Sequence, residues 1–498
     1  MPAPIATLVA MTYVASAAPL ALGPPPRVNL FDVGALTYVV YASSLHASHR
    51  VCMTQSLSCS TERLTGWGRS SHASSTVLEP TTRQEVLAAL SECNGTKVLA
   101  RGGGRSYGDA ALNAGGCVIR TTKMQAIRSL DRASGTIELD PGVTFGDLLR
   151  HCAGSGWIAP VTPGTQFATI AGAIANDVHG KNHDADGSLG DHVLWLDLAL
   201  PDGTVRRVDR DNDPELFAAT IGGIGLTGII TGVGLRMLPI PSTTLRVRER
   251  RVDSLDEYLD VLQEARTRYR YSVGWIDGVA TGRRLGRGIL ETAEHIEDPT
   301  ASRRSRAPVR MPVDLPGGAI NAWTVGVFNR LYFRRIRAAG RERNLDLETF
   351  FYPLDAILDW NRIYGRRGFV QFQCVIPDSE ARRALHELLG AIVASGRASF
   401  LAVIKTLGSA GAGFLSFPVR GITLALDFPL AQGTHELLDR LHSITVDHGG
   451  RIYLAKDSCV SARHLRQMYP RVEQFRAVLA RADPQRRMRS DMSDRLQL

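Results

Sequence analysis

The sequence predicts an α+β protein in two parts. A mixed α/β domain is expected over residues 56–242 and a domain of antiparallel sheet flanked by helices over 243–450, with a last segment, 451–498, returning to the first domain. Three observations predict it. At 498 residues the chain is longer than one ordinary core serves. Short strand and helix signals alternate up to Met237, and longer charged helices take over after Pro239-Ile240-Pro241. Beyond Gly450, Ile452-Tyr453-Leu454-Ala455-Lys456-Asp457 reads as a strand ending in polar groups.

Residues 1–55 stand apart. Met1 to Gly23 is apolar and rich in small residues, but it lacks the basic start of an export signal, and Pro4, Pro19 and Pro24 to Pro26 break any spanning helix. The segment is expected to be disordered or mis-started, with Met53 as an alternative start; a weak export signal is the lesser reading. The first domain opens with a helix signal, since Glu79-Pro80-Thr81-Thr82 precede the apolar stripe of Val86, Leu87 and Leu90. Lys97–Ala100, Val118-Ile119 and Thr136–Leu139 read as strands, and Phe145–Cys152 reads as a helix. Thr169–Ala175 is small and apolar, suiting a short helix packed against something flat. Val193–Leu200 and Gly203–Val208 form a hairpin about Pro201-Asp202-Gly203. Pro214–Thr220 is helical and Ile229–Met237 alternates as a strand. In the second domain, helices are expected over Leu255–Tyr269, Glu380–Ala394 and His435–His448, and strands over Val370–Ile376 and Ile422–Phe428.

Composition narrows the function classes. Hydrophobic residues at 44% and charged residues at 21% are ordinary for a soluble globular protein. The formal charge of +9 suits a phosphorylated ligand or a membrane surface as well as a plain basic exterior. No zinc-finger spacing, zipper or aromatic RNA-binding signature is present, so nucleic acid is not an expected partner. The seven cysteines, Cys52, Cys59, Cys93, Cys117, Cys152, Cys374 and Cys459, are odd in number and widely spaced, which suits neither a disulfide framework nor structural zinc. Between Arg303 and Arg343, arginines interleave with Trp323, Phe328, Leu331, Tyr332 and Phe333; an interfacial, lipid-facing element and a solvated loop are equal readings.

Two glycine-rich stretches carry the chemistry. Gly223-Ile224-Gly225-Leu226-Thr227-Gly228 matches a dinucleotide fingerprint by letter, but a helix precedes it and a strand follows, the reverse of what that motif needs. Arg101-Gly102-Gly103-Gly104-Arg105-Ser106-Tyr107-Gly108-Asp109 follows a strand, and its glycines let backbone N–H groups turn inward on a diphosphate. A second anion-friendly stretch runs from Pro163-Gly164-Thr165 to His179-Gly180. His179 with His183, Asp184 and Asp186 offers metal-ligating groups, but Gly180 and Gly187 oppose the helix that would align them, and no metal is expected.

Together with Leu64-Thr65-Gly66-Trp67-Gly68-Arg69, His179-Gly180-Lys181-Asn182-His183, Trp360-Asn361-Arg362-Ile363-Tyr364-Gly365, Gln371-Phe372-Gln373, Tyr453-Leu454-Ala455-Lys456-Asp457-Ser458 and Met468-Tyr469-Pro470-Arg471-Val472, these stretches resemble the PCMH-type FAD-binding fold of the vanillyl-alcohol oxidase superfamily. Within it they are similar to the family of decaprenylphosphoryl-β-D-ribose 2′-oxidases, from about Thr61 to the end. The resemblance implies a two-part FAD-binding domain with FAD contacts over Ala100 to Ala110 and at Gly164, Thr169, Ile170, Ala171, Gly172, Asn176, Asp177, Val178, His179, Ile230 and Tyr453. Many superfamily members join the flavin to a histidine after the glycine turn. Arg105 stands there and cannot form that bond, so non-covalent FAD is expected.

The implied reaction removes a hydride from the 2′-carbon of a polyprenylphosphoryl ribose and a proton from its hydroxyl, within cell-wall arabinan synthesis. An NADH-using short-chain reductase would then act on the keto product, and the enzyme would sit peripherally on a membrane of the cell envelope, on its periplasmic or its cytoplasmic face. Lys456 resembles the family's active-site lysine. At an ordinary pKa near 10.4 it is a poor base and would instead orient the hydroxyl or stabilise developing charge. His179, titrating nearer neutrality, is a candidate proton acceptor or phosphate partner. Tyr107, Gln371, Gln373 and Lys405 are expected to complete the polar pocket, with Trp275 as a wall. The strand Thr423-Leu424-Ala425-Leu426-Asp427 departs from the family, which often has cysteine, the anchor of covalent nitroaromatic inhibitors, where Ala425 stands, and asparagine at Thr423. Rival readings are an oxygen-using alditol or aldonolactone oxidase and a flavin-less binding protein on the same fold.

Overall fold

The computed structural model describes residues 57–297, 307–399 and 401–498. The expectations for residues 1–55, and for Arg303, Arg304 and Arg306, lie outside the described residues.

The first part holds two sheets. Cys59–Thr65, His72–Leu78, Cys117–Arg120 and Val98–Arg101 form one, in that spatial order, with the first pair antiparallel and the others parallel. Parallel neighbours need a crossover, and the helix Arg83–Glu92, capped by the Thr82 side chain on Glu85 N, lies in it. The second sheet is antiparallel, in the order Ile127–Asp131, Thr136–Leu139, Ile229–Arg236, Val193–Ala199, Val205–Asp209. Its hairpin turns where expected, with Gly203 at φ +85° supplying the left-handed residue. The helix Pro214–Thr220 before Gly223 and the strand Ile229–Arg236 after Gly228 confirm that the letter match to a dinucleotide fingerprint lacks its structural context.

The second part is an eight-stranded sheet in the order Arg341–Asp346, Thr244–Val252, Gly288–His295, Tyr271–Ile276, Ala402–Leu407, Gly421–Pro429, Phe369–Pro377, Arg451–Ile452, antiparallel wherever strands pair. Period-two alternation sorts its faces. Phe372, Cys374, Ile376, Leu424, Leu426 and Phe428 are buried in one core with Leu385, Leu388 and Leu441 of the helices Ala381–Ala394 and Thr434–Asp447. Truncating Phe372 to alanine there would cost about 3–5 kcal/mol. The intervening residues carry a polar stripe on the other face, with Gln371 opposite Asp427, Gln373 opposite Ala425, and Thr423 opposite Lys405.

The arginine-dense region contains an ordered helix, Ala322–Arg334, rather than a loop. Another expectation changes at residue 453. The strand of the last segment stops at Ile452, and it is the edge of the second sheet, paired with Cys374 and Val375. From Tyr453 the chain coils into a turn, with Lys456 N and Asp457 N both donating to Tyr453 O (3.0 and 3.1 Å). The remainder makes contacts with strands and loops of the first part. Arg489 N donates to Val98 O (3.0 Å), Asp491 N donates to Leu112 O (2.8 Å), and Arg495 pairs with Asp109 (2.8 Å).

Candidate active site

The two glycine-rich bends meet. A Cβ on Gly102 would stand 2.2 Å from Thr169 Oγ1, and one on Gly103 would stand 2.6 Å from Phe167 O, so no side chain fits between them. Gly104 completes the turn at φ +64°. Thr169 caps the helix Ile170–Ala175 by accepting from Gly172 N (3.3 Å), which leads the second bend away from the first. The bends and the polar stripe of the eight-stranded sheet enclose one cleft of about 330 Å³.

Most residues anticipated from sequence line it. From the first bend these are Ala100, Gly102, Gly103, Gly104, Arg105, Ser106, Tyr107 and Ala110; from the second, Gly164, Thr169, Ala171, Gly172, Asn176, Val178 and His179. Ile230, Gln371, Gln373, Lys405, Tyr453 and Lys456 complete the set. Five others face elsewhere, because they hold the bends in shape. Arg101 bonds Ala111 O (2.6 Å) and Thr65 O (2.8 Å). Gly108 lies where a Cβ would come 2.0 Å from Asp457 O, Asp109 pairs with Arg495, and Ile170 is fully buried in the core. The Asp177 carboxylate accepts from Gly190 N (2.9 Å) and Ser416. Of the groups weighed as metal ligands, His183 Nδ1 accepts from Gly408 N (2.8 Å) and Asp184 pairs with Arg266 (2.7 Å).

Two acids were not anticipated. Asp355 lines the cleft and accepts from Thr165 Oγ1 (2.9 Å) and Gln166 N (2.6 Å); it sits alone in a loop, with no local signal. Asp427 is fully buried and takes hydrogen bonds from Gln371 Nε2 and from Tyr364 Oη (3.3 Å). Once the strand register is known, its place opposite Gln371 follows from alternation.

The electrostatics revise two expectations. Lys456 reaches the cleft with Nζ 3.7 Å from the Tyr107 ring centroid. Burial lowers its pKa to about 8, opposed by the negative field of Asp427, so its amine holds a neutral fraction near neutrality that an ordinary lysine lacks. Burial raises Asp427 in turn, opposed by the hydrogen bond from Gln371 and by Lys456. His179 does not titrate near neutrality: burial, then the charges of Lys405, His183 and Lys456, hold it well below the usual histidine range. Its neutral ring packs on Phe417 and Tyr453 (5.2 and 5.1 Å between centroids), and Nε2 accepts from Gln373 Nε2 (3.1 Å). Arg105 stacks over Trp67 (4.4 Å) and Phe167 (5.0 Å).

A second chamber of about 310 Å³ adjoins the cleft, and the two share Pro163, Gly164, His179, Leu354, Val403 and Lys405 as lining residues. Trp275 belongs to this chamber rather than to the cleft. It stands in a cross-strand row with Val403, Ala425 and Gln373, edge-on to Tyr332 (4.7 Å), with Phe328, Phe351 and Leu401 as further walls.

The cleft fits a polar, flat, diphosphate-bearing group. Its glycines occupy positions a Cβ would fill, and three buried polar atoms of lining residues, Arg105 Nε, Asn176 Oδ1 and His179 Nδ1, have no partner among the described residues. Comparison with known proteins agrees. The FAD binding domain model matches residues 74–209, spanning both bends, and the D-arabinono-1,4-lactone oxidase model matches residues 423–496. The chain is similar to the decaprenylphosphoryl-β-D-ribose oxidase of Mycolicibacterium smegmatis, 36% identical over 454 residues covering 88% of this chain and 98% of the relative. A Streptomyces coelicolor protein named "Uncharacterized protein in mprA 5′ region" is 34% identical over 358 residues, 69% of this chain and 96% of its own. The D-lactate dehydrogenase of Anaerostipes hadrus is 29% identical over 177 residues, 34% of this chain and 37% of its own. FAD is therefore the cofactor, and the lining of the cleft fits it.

Proposed function

This chain belongs to the decaprenylphosphoryl-β-D-ribose oxidase family, and on that premise we propose that it is an FAD-dependent oxidoreductase converting the 2′-hydroxyl of a decaprenylphosphoryl ribose to the 2′-ketone. The observation that carries this is the junction of two unlike cavities at Lys405: a polar cleft that closes on glycine bends, and an aromatic chamber suited to a lipid tail.

FAD, when bound, supplies the acceptor for a hydride from the sugar carbon. The chain supplies the rest. Gln371, Gln373 and Tyr107 orient the sugar by hydrogen bonding along the polar stripe. Lys456, its pKa lowered by burial, takes or shares the hydroxyl proton, and the buried Asp427 behind it offsets the charge gained. Neutral His179 holds Gln373 and walls the site; its depressed basicity makes it a weak proton acceptor. The flavin is held non-covalently, since Arg105 stands at the attachment position and, among the described residues, no cysteine lines the cleft.

Anaerobic mixing of the yellow protein with a polyprenylphosphoryl ribose should bleach the flavin, and Lys456→Ala should keep FAD but slow bleaching by roughly 10²–10⁴-fold. A variant reduced at the normal rate would remove Lys456 from the chemistry. The lactone oxidase match favours a second reading, oxidation of a soluble alditol or lactone with oxygen. That match spans Asp427 and Lys456 but not the aromatic chamber, so it reports the shared catalytic floor; faster turnover of free polyols than of the lipid would reverse the preference.

Membrane contact and the reductase partner belong to the same reading. The helix Ala322–Arg334 turns Phe328 and Tyr332 to the chamber and leaves Trp323 (72% exposed), Arg330, Leu331 and Arg334 in solvent, a pattern suited to a lipid interface in the cell envelope. Among the described residues no helix is long and apolar enough to cross a membrane. The keto product requires a hydride donor to complete epimerisation, the role of an NADH-using short-chain reductase.

A further inference from the structure

Of the 58 basic residues only five are lysines: Lys97, Lys123, Lys181, Lys405 and Lys456. Lys97 and Lys123 are ordinary surface cations, paired with Asp494 (2.8 Å) and Glu79 (3.0 Å). The other three line the two cavities, and among the described residues none has a carboxylate within 4.0 Å. Two largely buried arginines carry acids with them, Arg266 holding Asp184 and Asp378 and Arg495 holding Asp109 and Asp457, whereas Arg101 is satisfied by the carbonyls of Thr65 and Ala111. In a chain that uses arginine nearly everywhere, three compact ammonium groups line these cavities with no carboxylate within 4.0 Å among the described residues. Desolvated cations without partners are costly unless a ligand supplies the missing charge.

Their order is informative. Lys456 lines the cleft alone, Lys405 lines both cavities, and Lys181 lines the aromatic chamber alone. Each of the latter two is fixed by one backbone carbonyl: Lys405 Nζ donates to Gly180 O (2.9 Å), and Lys181 Nζ donates to Phe350 O over the Phe350 ring. That leaves each two further donors. Glu291, the acid on the chamber wall, lies 3.6 Å from Arg335 and so brings its own cation.

The geometry points to a phosphodiester seat formed by Lys181 and Lys405 at the join of the two cavities, which sets specificity for a lipid-phosphate-linked sugar over a free one. The seat deepens the proposed function and rests on it. The sugar lies on the Lys456 side, the phosphate bridges Lys405 and Lys181, and the prenyl chain runs past Trp275, Phe328 and Tyr332. Lys181 is a specificity residue in this account, since it reaches only the chamber and not the cleft. Burial lowers both ammonium groups, Lys405 to about 7 and Lys181 to about 8; Lys405 also feels Lys181 and Lys456 against Asp184, and Lys181 feels Arg343 against Glu291. An anion between them relieves that strain.

The test uses the FAD-loaded protein, Lys181→Gln and Lys181→Arg, with farnesyl phosphate and farnesol as probes read by tryptophan fluorescence. Wild type is expected to favour the phosphate by roughly tenfold to a hundredfold, one or two charge-assisted contacts. Lys181→Gln should lose most of that preference without changing farnesol binding, flavin content or Tm, and Lys181→Arg should keep most of it. Equal weakening of both probes, an unchanged preference in Lys181→Gln, or equal loss in Lys181→Arg would overturn the seat. Bleaching by farnesylphosphoryl ribose is followed in parallel. A wild type that binds farnesyl phosphate selectively but never bleaches would sink the proposed reaction and leave the seat standing.

Discussion

Replacing Gly102 by alanine is the most direct test of how the two bends make one cofactor site. The added methyl would begin 2.2 Å from Thr169 Oγ1, and Thr169 must retreat until the gap reaches at least 3.0 Å, a shift of about 0.8 Å. Thr169 Cβ, at 3.3 Å, blocks retreat along the same line, so the hydroxyl has to swing aside. It then leaves Gly172 N uncapped, at a cost of about 1 kcal/mol. Ala171 and Gly172 line the cleft, and their movement weakens one or two contacts to a diphosphate at about 1.5–3 kcal/mol each. FAD affinity should therefore fall by at least tenfold, read by quenching of flavin fluorescence on titration into apoprotein, with a smaller loss of Tm. Thr169→Ala removes the clashing oxygen. Adding Gly102→Ala to it should cost little more than Thr169→Ala alone, a coupling that a double-mutant cycle measures. Wild-type FAD affinity in Gly102→Ala, or strictly additive losses, would mean that the bends are not in contact as described.

Other consequences can be checked together. Affinity for a prenyl phosphodiester, whose single charge does not titrate in this range, should fall as pH rises through 7, because the anion favours the protonated form of Lys405 and binding raises its pKa; calorimetry in buffers of different ionisation enthalpy should find proton uptake, and a flat or rising profile would contradict it. Ala425→Cys places a thiol beside Gln373 and Val403 on the cleft wall, so an inhibitor that attaches through cysteine at this position should label the variant irreversibly and the wild type not at all, as intact-mass spectrometry would show. Arg495→Ala strands Asp457 (side chain 1% exposed) and Asp109 (11%) without their cation, which should cost about 3–5 kcal/mol and lower Tm by several degrees; an unchanged melting curve would show that the network carries little stability.

Much of the fold was legible because local signals were strong. The helix Phe145–Cys152 has a capping box at Thr144 and Asp147, and Pro214–Thr220 starts on proline after the cap Asp213, so the start of each is fixed by neighbouring residues. The region after Gly450 was not, because apolar residues suggest a strand there while the stop at Ile452 is set by Tyr453, whose hydroxyl reaches Asn176 O (3.0 Å) in another part of the chain. The site divides in the same way. Glycine bends announce themselves and Gln371 and Gln373 enter through the family resemblance, whereas Asp427, Asp355 and the pairing of Lys181 with Lys405 depend on contacts far apart in sequence. Arg101, Gly108, Asp109, Ile170 and Asp177 sit in the right motifs but support the bends from behind; motif membership alone does not distinguish a wall from its buttress.

The edge strand Arg451–Ile452 and the stretch that follows it have a consequence for biosynthesis. The cofactor-binding half is interrupted by some two hundred residues of the other half, and it lacks Tyr453, Lys456 and the Val98–Arg489 stitch until the final segment has emerged. A ribosome-bound chain can thus pair the first seven strands of the eight-stranded sheet before the flavin seat exists, and cofactor capture becomes one of the last events of maturation. Flavin incorporation would then report on whether the whole polypeptide has folded.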